Sequence, residues 1–404
     1  MLSEHQRQLV KATAPVLKEH GVTLTSHFYA RMFTHNPELR EYFNQAHQRN
    51  GGQQQALAMA VTAYADHIDD PSVLIPVLER IAAKHVSLGI RKEHYAIVGK
   101  HLLASIREVL GSAASDELVD AWAVAYADLA ALLADKEQKM YDLSIDSTGG
   151  WTGWRTFRVK RKVRESAEIT SFEMVPADGG TVPAYKPGQY ISVRVVVAEL
   201  GYRQPRQYTL SDAPGKGHFR ISVKRESARS AQPAGMVSNH LHDHINEGDL
   251  LEIAPPAGDF CLDENSHDPV VMISAGVGIT PMMSMLEHLA STSPDRPVRF
   301  LHASRDAGVQ AFSDRVDQLM EQIADGHAWI VHEAVHDSTP SRQHAIGRLE
   351  LSGLTGSHFL PKNADYYVCG PTGFMTAQIN ALRKHGITDS RIHAEAFGSG
   401  GVTA

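Results

Sequence analysis

His85 closes the series Leu74, Leu78, Ile81, His85, a 4-3-4 spacing that puts an imidazole on the apolar face of a helix. With 23 histidines in the chain, one more on a helix says little; its company decides. Glu137 falls on the apolar stripe Trp122, Tyr126, Leu129, Leu133, Glu137, Met140, and Tyr95 on the stripe Tyr95, Val98, Leu102, Ile106. Glutamate is rarely buried without a partner. An inward carboxylate, phenol and imidazole on three packed helices therefore imply a connected hydrogen-bond network. A carboxylate that accepts a hydrogen bond from one imidazole N–H raises the basicity of the other nitrogen, which is the arrangement of a metal-bound histidine. His94 and His101 lack such company and are expected at the surface or in packing.

A second cluster lies upstream. "LTSHFYARMF" places Phe28, Tyr29, Met32 and Phe33 on a helix, Phe43 follows a turn begun by proline, and Gln53 and Leu57 stand at i, i+4. An inward His on one side and an inward Tyr and Gln on the other make a haem pocket. The region resembles the globin part of bacterial flavohaemoglobins, whose pattern is matched by Tyr29, Phe43, Gln53, Leu57, Lys84, His85, Tyr95 and Glu137. The resemblance implies that His85 is the proximal iron ligand, tightened and polarised by Tyr95 and Glu137. It also implies that Tyr29 and Gln53 donate hydrogen bonds to iron-bound oxygen, and that Phe43 and Leu57 pack against haem b and its ligand. Lys84 belongs to the same cofactor set.

Further on, Arg206-Gln207-Tyr208-Thr209 and the pair Gly235 and Ser238 resemble the R-x-Y-[ST] and G-x-x-S motifs of ferredoxin-reductase-like proteins. A guanidinium and a helix start both suit a pyrophosphate. By this resemblance Arg206 meets the FAD phosphates, Tyr208 stacks on the flavin and Thr209 bonds its edge; Tyr190 matches another flavin position. Gly276-Val277-Gly278-Ile279-Thr280 follows a strand and precedes a helix, but Pro281 stands where a dinucleotide fingerprint has its third glycine. It matches the reductase pattern instead, with Cys369-Gly370-Pro371 near the nicotinamide. Glu395, Phe397 and Gly398 match the segment that reaches back over the flavin, although Ser399 departs from the usual proline. Ser304, Arg305 and Asp306 present both signs of charge where a coenzyme 2′ position is read. The reading is that NADH is the main donor and that Arg305 gives usable activity with NADPH.

These residues need three kinds of scaffold. Helical periodicity fills residues 1–147, with a Ser3 cap and an expected first helix stop at Gly21. The Gly-rich "DSTGGWTG" then marks a boundary. Short alternating strands such as "FRISVKRE" suggest an antiparallel β-barrel over residues 148–265, and alternating strands and helices a doubly wound α/β domain over residues 266–404. The expected fold is multidomain: an all-α globin, a β-barrel FAD domain and an α/β NAD(P)H domain. The net charge of -7 argues against a nucleic-acid surface. Two cysteines give no disulfide framework and fit a reducing cytoplasm. The start of the chain lacks the apolar core of a signal peptide, and the uncharged run Val270 to Leu286 reads as strand, loop and helix rather than a membrane span.

Three modules in this order imply a nitric oxide dioxygenase: NAD(P)H reduces FAD, FAD reduces the haem iron, and the ferrous, oxygenated haem converts NO to nitrate. Flavin belongs in the middle because it exchanges two electrons with a hydride donor and one with iron. The alternative is a diaphorase-like reductase that passes electrons to O2 or ferric iron. An oxygen sensor would need an output domain. The implied partners are NO, O2 and NAD(P)H, with no nucleic acid, no stable membrane insertion and no obligate protein partner.

Overall fold

The computed structural model describes residues 2–45, 48, 51–228, 233–334, 345–354 and 358–397. Gly398 lies outside them. Two compact units emerge, residues 1–154 with 194–206 and residues 155–193 with 207–404.

In the first unit, α1 (Glu4–Ala12) starts with a capping box: the Gln6 amide donates to Ser3 Oγ at 3.2 Å and the Ser3 amide to Gln6 Oε1 at 2.9 Å. The chain then breaks at Thr13, where Pro15 suits the first turn of α2 (Ala14–His35). Gly21 does not stop a helix, contrary to its expected role; it lies inside α2. A Cβ there would stand 3.1 Å from the Ala58 Cβ of α3 (Gly52–Asp66), so glycine serves the close approach of two helices. α4 (Ile75–Leu88) does end on glycine: Gly89 takes φ +75°, its amide donates to the Val86 carbonyl and the Ile90 amide to that of His85. α5 (Lys92–Leu110) and α6 (Asp116–Asp146) complete the bundle, whose core holds Phe28, Met32, Leu102, Ile106 and Trp122.

The antiparallel strands are β1 (Arg155–Arg164), β2 (Ile169–Pro176), β3 (Tyr190–Val197), β4 (Tyr202–Thr209), β5 (Phe219–Lys224) and β6 (Leu250–Ile253), in the order β4-β3-β6-β1-β2-β5. A bridge between Leu210 and Ile221 joins the residue after β4 to β5, so the outer ends of the order meet and the sheet curls into a barrel. The basic run on β1 alternates as a strand must: Phe157 and Val159 are buried while Arg158 and Lys160 face out. After β5 comes α7 (Met236–His244).

The last part is a parallel sheet of β7 (Val270–Ala275), β8 (Val298–Ser304), β9 (Gly326–His332), β10 (Ala345–Ile346), β11 (Asp365–Cys369) and β12 (Ile392–Glu395), ordered β10-β9-β8-β7-β11-β12. Helices α8 (Ile279–Thr292), α9 (Ser313–Met320) and α10 (Thr372–Lys384) alternate with the strands. Every residue of β7 is buried, as a strand covered on both faces requires. The order reverses between β7 and β11, which puts a ligand crevice at their carboxyl ends. Among the described residues no helix is long and apolar enough to cross a membrane.

Candidate functional site

The helical unit encloses a cavity of about 230 Å³. Tyr29, Phe43 and Leu57 line it from one side of the sequence pattern, His85 and Tyr95 from the other, and the rest of the wall is almost wholly apolar. His85 sits in the last turn of α4, and its Nδ1 donates to Glu137 Oε1 at 2.7 Å and lies 3.0 Å from the Tyr95 hydroxyl. That hydroxyl donates to the same carboxylate oxygen at 2.5 Å. Glu137 is 2% exposed, so both donors are aimed at a carboxylate almost without water. The network uses Nδ1 and leaves Nε2 for a ligand on the cavity side. Burial, followed by the hydrogen bond to Glu137, pushes the Tyr95 phenol far above its usual range, so it acts as a donor.

Tyr29 is buried among Phe28, Phe33 and Phe43, and burial raises its phenol as well, against a hydrogen bond from Gln53 that pulls the other way. Its proton stays available for donation into the cavity. Gln53 touches Tyr29 but does not line the cavity wall; Gln48 holds it from behind, donating Nε2 to Gln53 Oε1 at 2.9 Å. Lys84, half-buried beside His85, has its ammonium lowered by burial. His94, expected at the surface or in packing, is a packing residue on the cavity wall, with its ring 4.8 Å from that of Tyr42 and its Nδ1 accepting from the Arg91 amide at 3.0 Å. His101 is a packing residue, 1% exposed and bonded to Asn36 and Arg31. Among the described residues no group of three or more His, Cys, Asp or Glu could hold a metal.

In the barrel, Arg206, Gln207, Tyr208 and Thr209 form the end of β4, with Thr209 buried and the other three half-buried. Gly235 caps α7, and a Cβ there would crowd Ser238 Oγ at 2.6 Å and the Glu226 side chain at 2.8 Å. The Ser238 hydroxyl donates to the Gly235 carbonyl at 3.2 Å, which fixes the turn that starts the helix. Tyr190 begins β3 with its ring against Gly258. The arrangement is a strand end and a helix start, the two elements a flavin nucleotide needs.

The α/β domain brings its two motifs into contact. Gly276 takes φ +54° with open space where a Cβ would be, while a Cβ on Gly278 would overlap the Cys369 carbonyl. Gly276-Val277-Gly278-Ile279-Thr280 thus packs directly on Cys369-Gly370-Pro371 at the reversal of strand order, and its amides open the helix α8. Thr280 donates to the Val277 carbonyl at 3.0 Å and shapes the loop. Cys369 is paired in register with Glu395 on β12. Glu395 is half-buried as a residue, but its Oε2 is enclosed without a hydrogen-bond partner. Burial, then the charge of Asp259, pushes its carboxyl up to about 8. Phe397 is 45% exposed, an aromatic ring left open to a ligand.

One cluster in this unit had no counterpart in the sequence reading. Glu287, 3% exposed on α8, is met by Lys216, by Arg220 at 3.3 Å and by Arg315 at 3.1 Å. Asp212 beside it accepts from His218 at 3.1 Å. The signal was there: Glu287 is the charge that ends the uncharged run from Val270, on a helix buried nearly all round.

The globin family model matches residues 26–133, the oxidoreductase FAD-binding domain model residues 156–261 and the oxidoreductase NAD-binding domain model residues 272–379. The chain is 59% identical over 405 residues to the flavohemoprotein of Bordetella parapertussis, covering 100% of each chain. It is 57% identical over 406 residues to the flavohemoprotein of Chromobacterium violaceum, covering 99% of each. Among solved structures it is similar to the flavohemoglobin of Malassezia yamatoensis with bound FAD and haem, at a TM-score of 0.86 and 28% identity over 98% of this chain and 100% of that one. The FAD/NAD-binding domain of nitric oxide dioxygenase from Vibrio cholerae matches with a TM-score of 0.55 and 41% identity, over 60% of this chain and 98% of that one.

Proposed function

Because the chain belongs to the flavohemoprotein family, we propose that it is an NAD(P)H- and O2-dependent nitric oxide dioxygenase that detoxifies NO to nitrate. The observation that carries the reading is the buried Glu137 carboxylate that takes hydrogen bonds from both His85 Nδ1 and Tyr95. A plain oxygen store needs no such anionic support behind its ligand, and no reductase. The proposed domains are residues 1–147 for haem, 148–265 for FAD and 266–404 for NAD(P)H.

When bound, haem b supplies an iron that takes one electron at a time and FAD supplies the exchange between that iron and a hydride donor. His85 holds the iron through Nε2, and Glu137 fixes the tautomer and makes the imidazole a stronger electron donor. Tyr29, kept protonated by burial, donates its hydroxyl proton as a hydrogen bond into the opposite side of the cavity, and Gln53 orients it. The apolar wall, with Phe43 and Leu57, excludes water from NO and O2. Arg206 and the amides after Gly235, with Ser238, hold the FAD phosphates, while Tyr190, Gln207, Tyr208 and Thr209 hold the flavin. Gly276 to Thr280 cradle the pyrophosphate of NAD(P)H and Cys369 to Pro371 flank its nicotinamide. Glu395 and Phe397 belong to the segment that reaches back over the flavin. The partners are these small molecules and the compartment is the cytoplasm.

The experiment is stoichiometry in the purified, cofactor-loaded protein. Two NO consumed and two nitrate formed per NADH, with two O2, balance the two electrons of one hydride. NADH oxidation under NO and O2 without nitrate would favour the diaphorase-like alternative.

A further inference from the structure

Ala303 on β8 is the register partner of Ala275, the residue before the glycine loop. Ser304 and Arg305 therefore lie beside the proposed coenzyme cradle, where the ribose of the adenosine half is read in such folds. The sequence offers Arg305 as a phosphate reader and Asp306 as its opponent. The structure gives each a different occupation.

Asp306 turns on its own loop. Its Oδ1 accepts from the Gly308 amide at 2.8 Å and the Val309 amide at 3.2 Å, and its carbonyl accepts from Ser304 Oγ at 3.1 Å. Arg305 is held at the backbone by the chain leaving β9, where Ala334 donates to the Arg305 carbonyl at 2.8 Å. Its guanidinium is ion-paired with Glu168 of the β1–β2 turn, 137 residues earlier in the chain. The turn itself is docked on the loop, because the Ala167 amide donates to the Gly308 carbonyl at 2.9 Å. The second Glu168 oxygen stands 3.9 Å from Lys224, which also faces Glu226 at 3.6 Å. The Arg305 side chain is 55% exposed and that of Glu168 29%, so a ligand could reach both.

We propose that Glu168 sets the coenzyme preference, by occupying Arg305 and confronting any 2′-phosphate with a carboxylate. This rests on the reading of Gly276 to Thr280 as the coenzyme cradle. A bare ribose leaves the Glu168–Arg305 pair intact. A 2′-phosphate must either strip Arg305 from Glu168 or lie against the Glu168 carboxylate, and both cost affinity. NADH is therefore favoured by an acid that comes from the barrel, not by the acid that follows β8.

The test uses ADP-ribose and 2′-phospho-ADP-ribose, probes that bind the adenosine side and cannot be oxidised or reduced. Calorimetry on the FAD-loaded full chain gives the ratio of their affinities. Glu168→Gln keeps the size of the side chain and removes its charge. The expected result is a rise of up to about fivefold in the ratio favouring the phosphorylated probe, the scale of losing one partly exposed charge. Adding Arg305→Ala to Glu168→Gln should abolish the gain, and the steady-state preference for NADPH over NADH should follow the same order. An unchanged ratio in Glu168→Gln, or a gain that survives Arg305→Ala, overturns the proposal while leaving the cradle in place. Failure of both probes to bind parent and variants alike overturns the cradle reading, and this inference with it.

Discussion

Glu137 and Glu395 are both glutamates enclosed near a proposed cofactor, and their surroundings are opposite. Glu137 sits between helices and receives two donors on one oxygen, His85 Nδ1 at 2.7 Å and the Tyr95 hydroxyl at 2.5 Å. Glu395 ends a strand beside Cys369, and its Oε2 has no donor at all. The first is a fixed acceptor that orients a ligand. The second is a carboxyl that holds its proton up to about pH 8, so its charge changes in the range where cells work. The contrast teaches that burial by itself does not assign a role to an acid; the count of donors does.

The largest effect is expected from breaking the first surrounding outright. His85→Ala should abolish the Soret band and NO consumption, while FAD content and NADH-driven dye reduction persist, because the flavin and coenzyme motifs lie in other elements. Normal haem content in this variant would remove His85 as the ligand. The second test addresses Glu395. An unfolded glutamate loses its proton near 4.5 and this one near 8, so between those values the native chain binds more protons than the unfolded one. Stability then falls as pH rises from about 5 to about 8. Glu395→Gln should flatten that fall by on the order of a few kcal/mol, read from denaturant midpoints of the reductase transition at pH 5, 6.5 and 8. A slope equal to the parent's would place the proton elsewhere.

Periodicity made much of this legible. Helical spacing converts directly into faces, so His85, Tyr95 and Glu137 could be placed on inward stripes before any contact was seen, and strand alternation did the same for Phe157 and Val159. The two glycine-containing motifs of the α/β domain could be located, because their geometry is local. What failed was non-local. Gly21 reads as a stop in a single helix, and only the approach of Ala58 explains it. For His94, next to Tyr95 in sequence and off its stripe, a packing role was open, but not that the packing forms the cavity wall. The partner of Arg305 is on another layer of the fold, and no pattern near β8 points to Glu168.

Glu137→Gln sharpens the comparison more gently. The amide keeps an acceptor oxygen but loses the negative charge that strengthens both donors. Haem affinity or NO turnover should drop by about 10- to 100-fold, and the iron–histidine stretching frequency should fall as the imidazole becomes a weaker donor. A loss of haem with an unchanged frequency in the remaining holoprotein would reduce Glu137 to packing.

The smallest effect is expected on the opposite wall, where no carboxylate takes part. Tyr29 and Gln53 are neutral groups, and the Gln48 amide that steadies Gln53 is neutral too. Hydrogen bonds of this kind contribute about 1 kcal/mol net. Tyr29→Phe keeps the ring contacts with Phe28, Phe33 and Phe43 and deletes only the hydroxyl, so haem content should stay at the parent level. O2 should then leave about fivefold faster, the rate equivalent of that energy, and NO turnover should slow. Stopped-flow release of O2 from the reduced protein measures this without turnover. Gln53→Ala should give part of the same effect, and the double variant little more than Tyr29→Phe alone, because Gln53 acts by orienting the hydroxyl. An O2 release rate unchanged in Tyr29→Phe would mean that the phenol faces the cavity without reaching its ligand, and the wall would then be apolar in function as well as in lining.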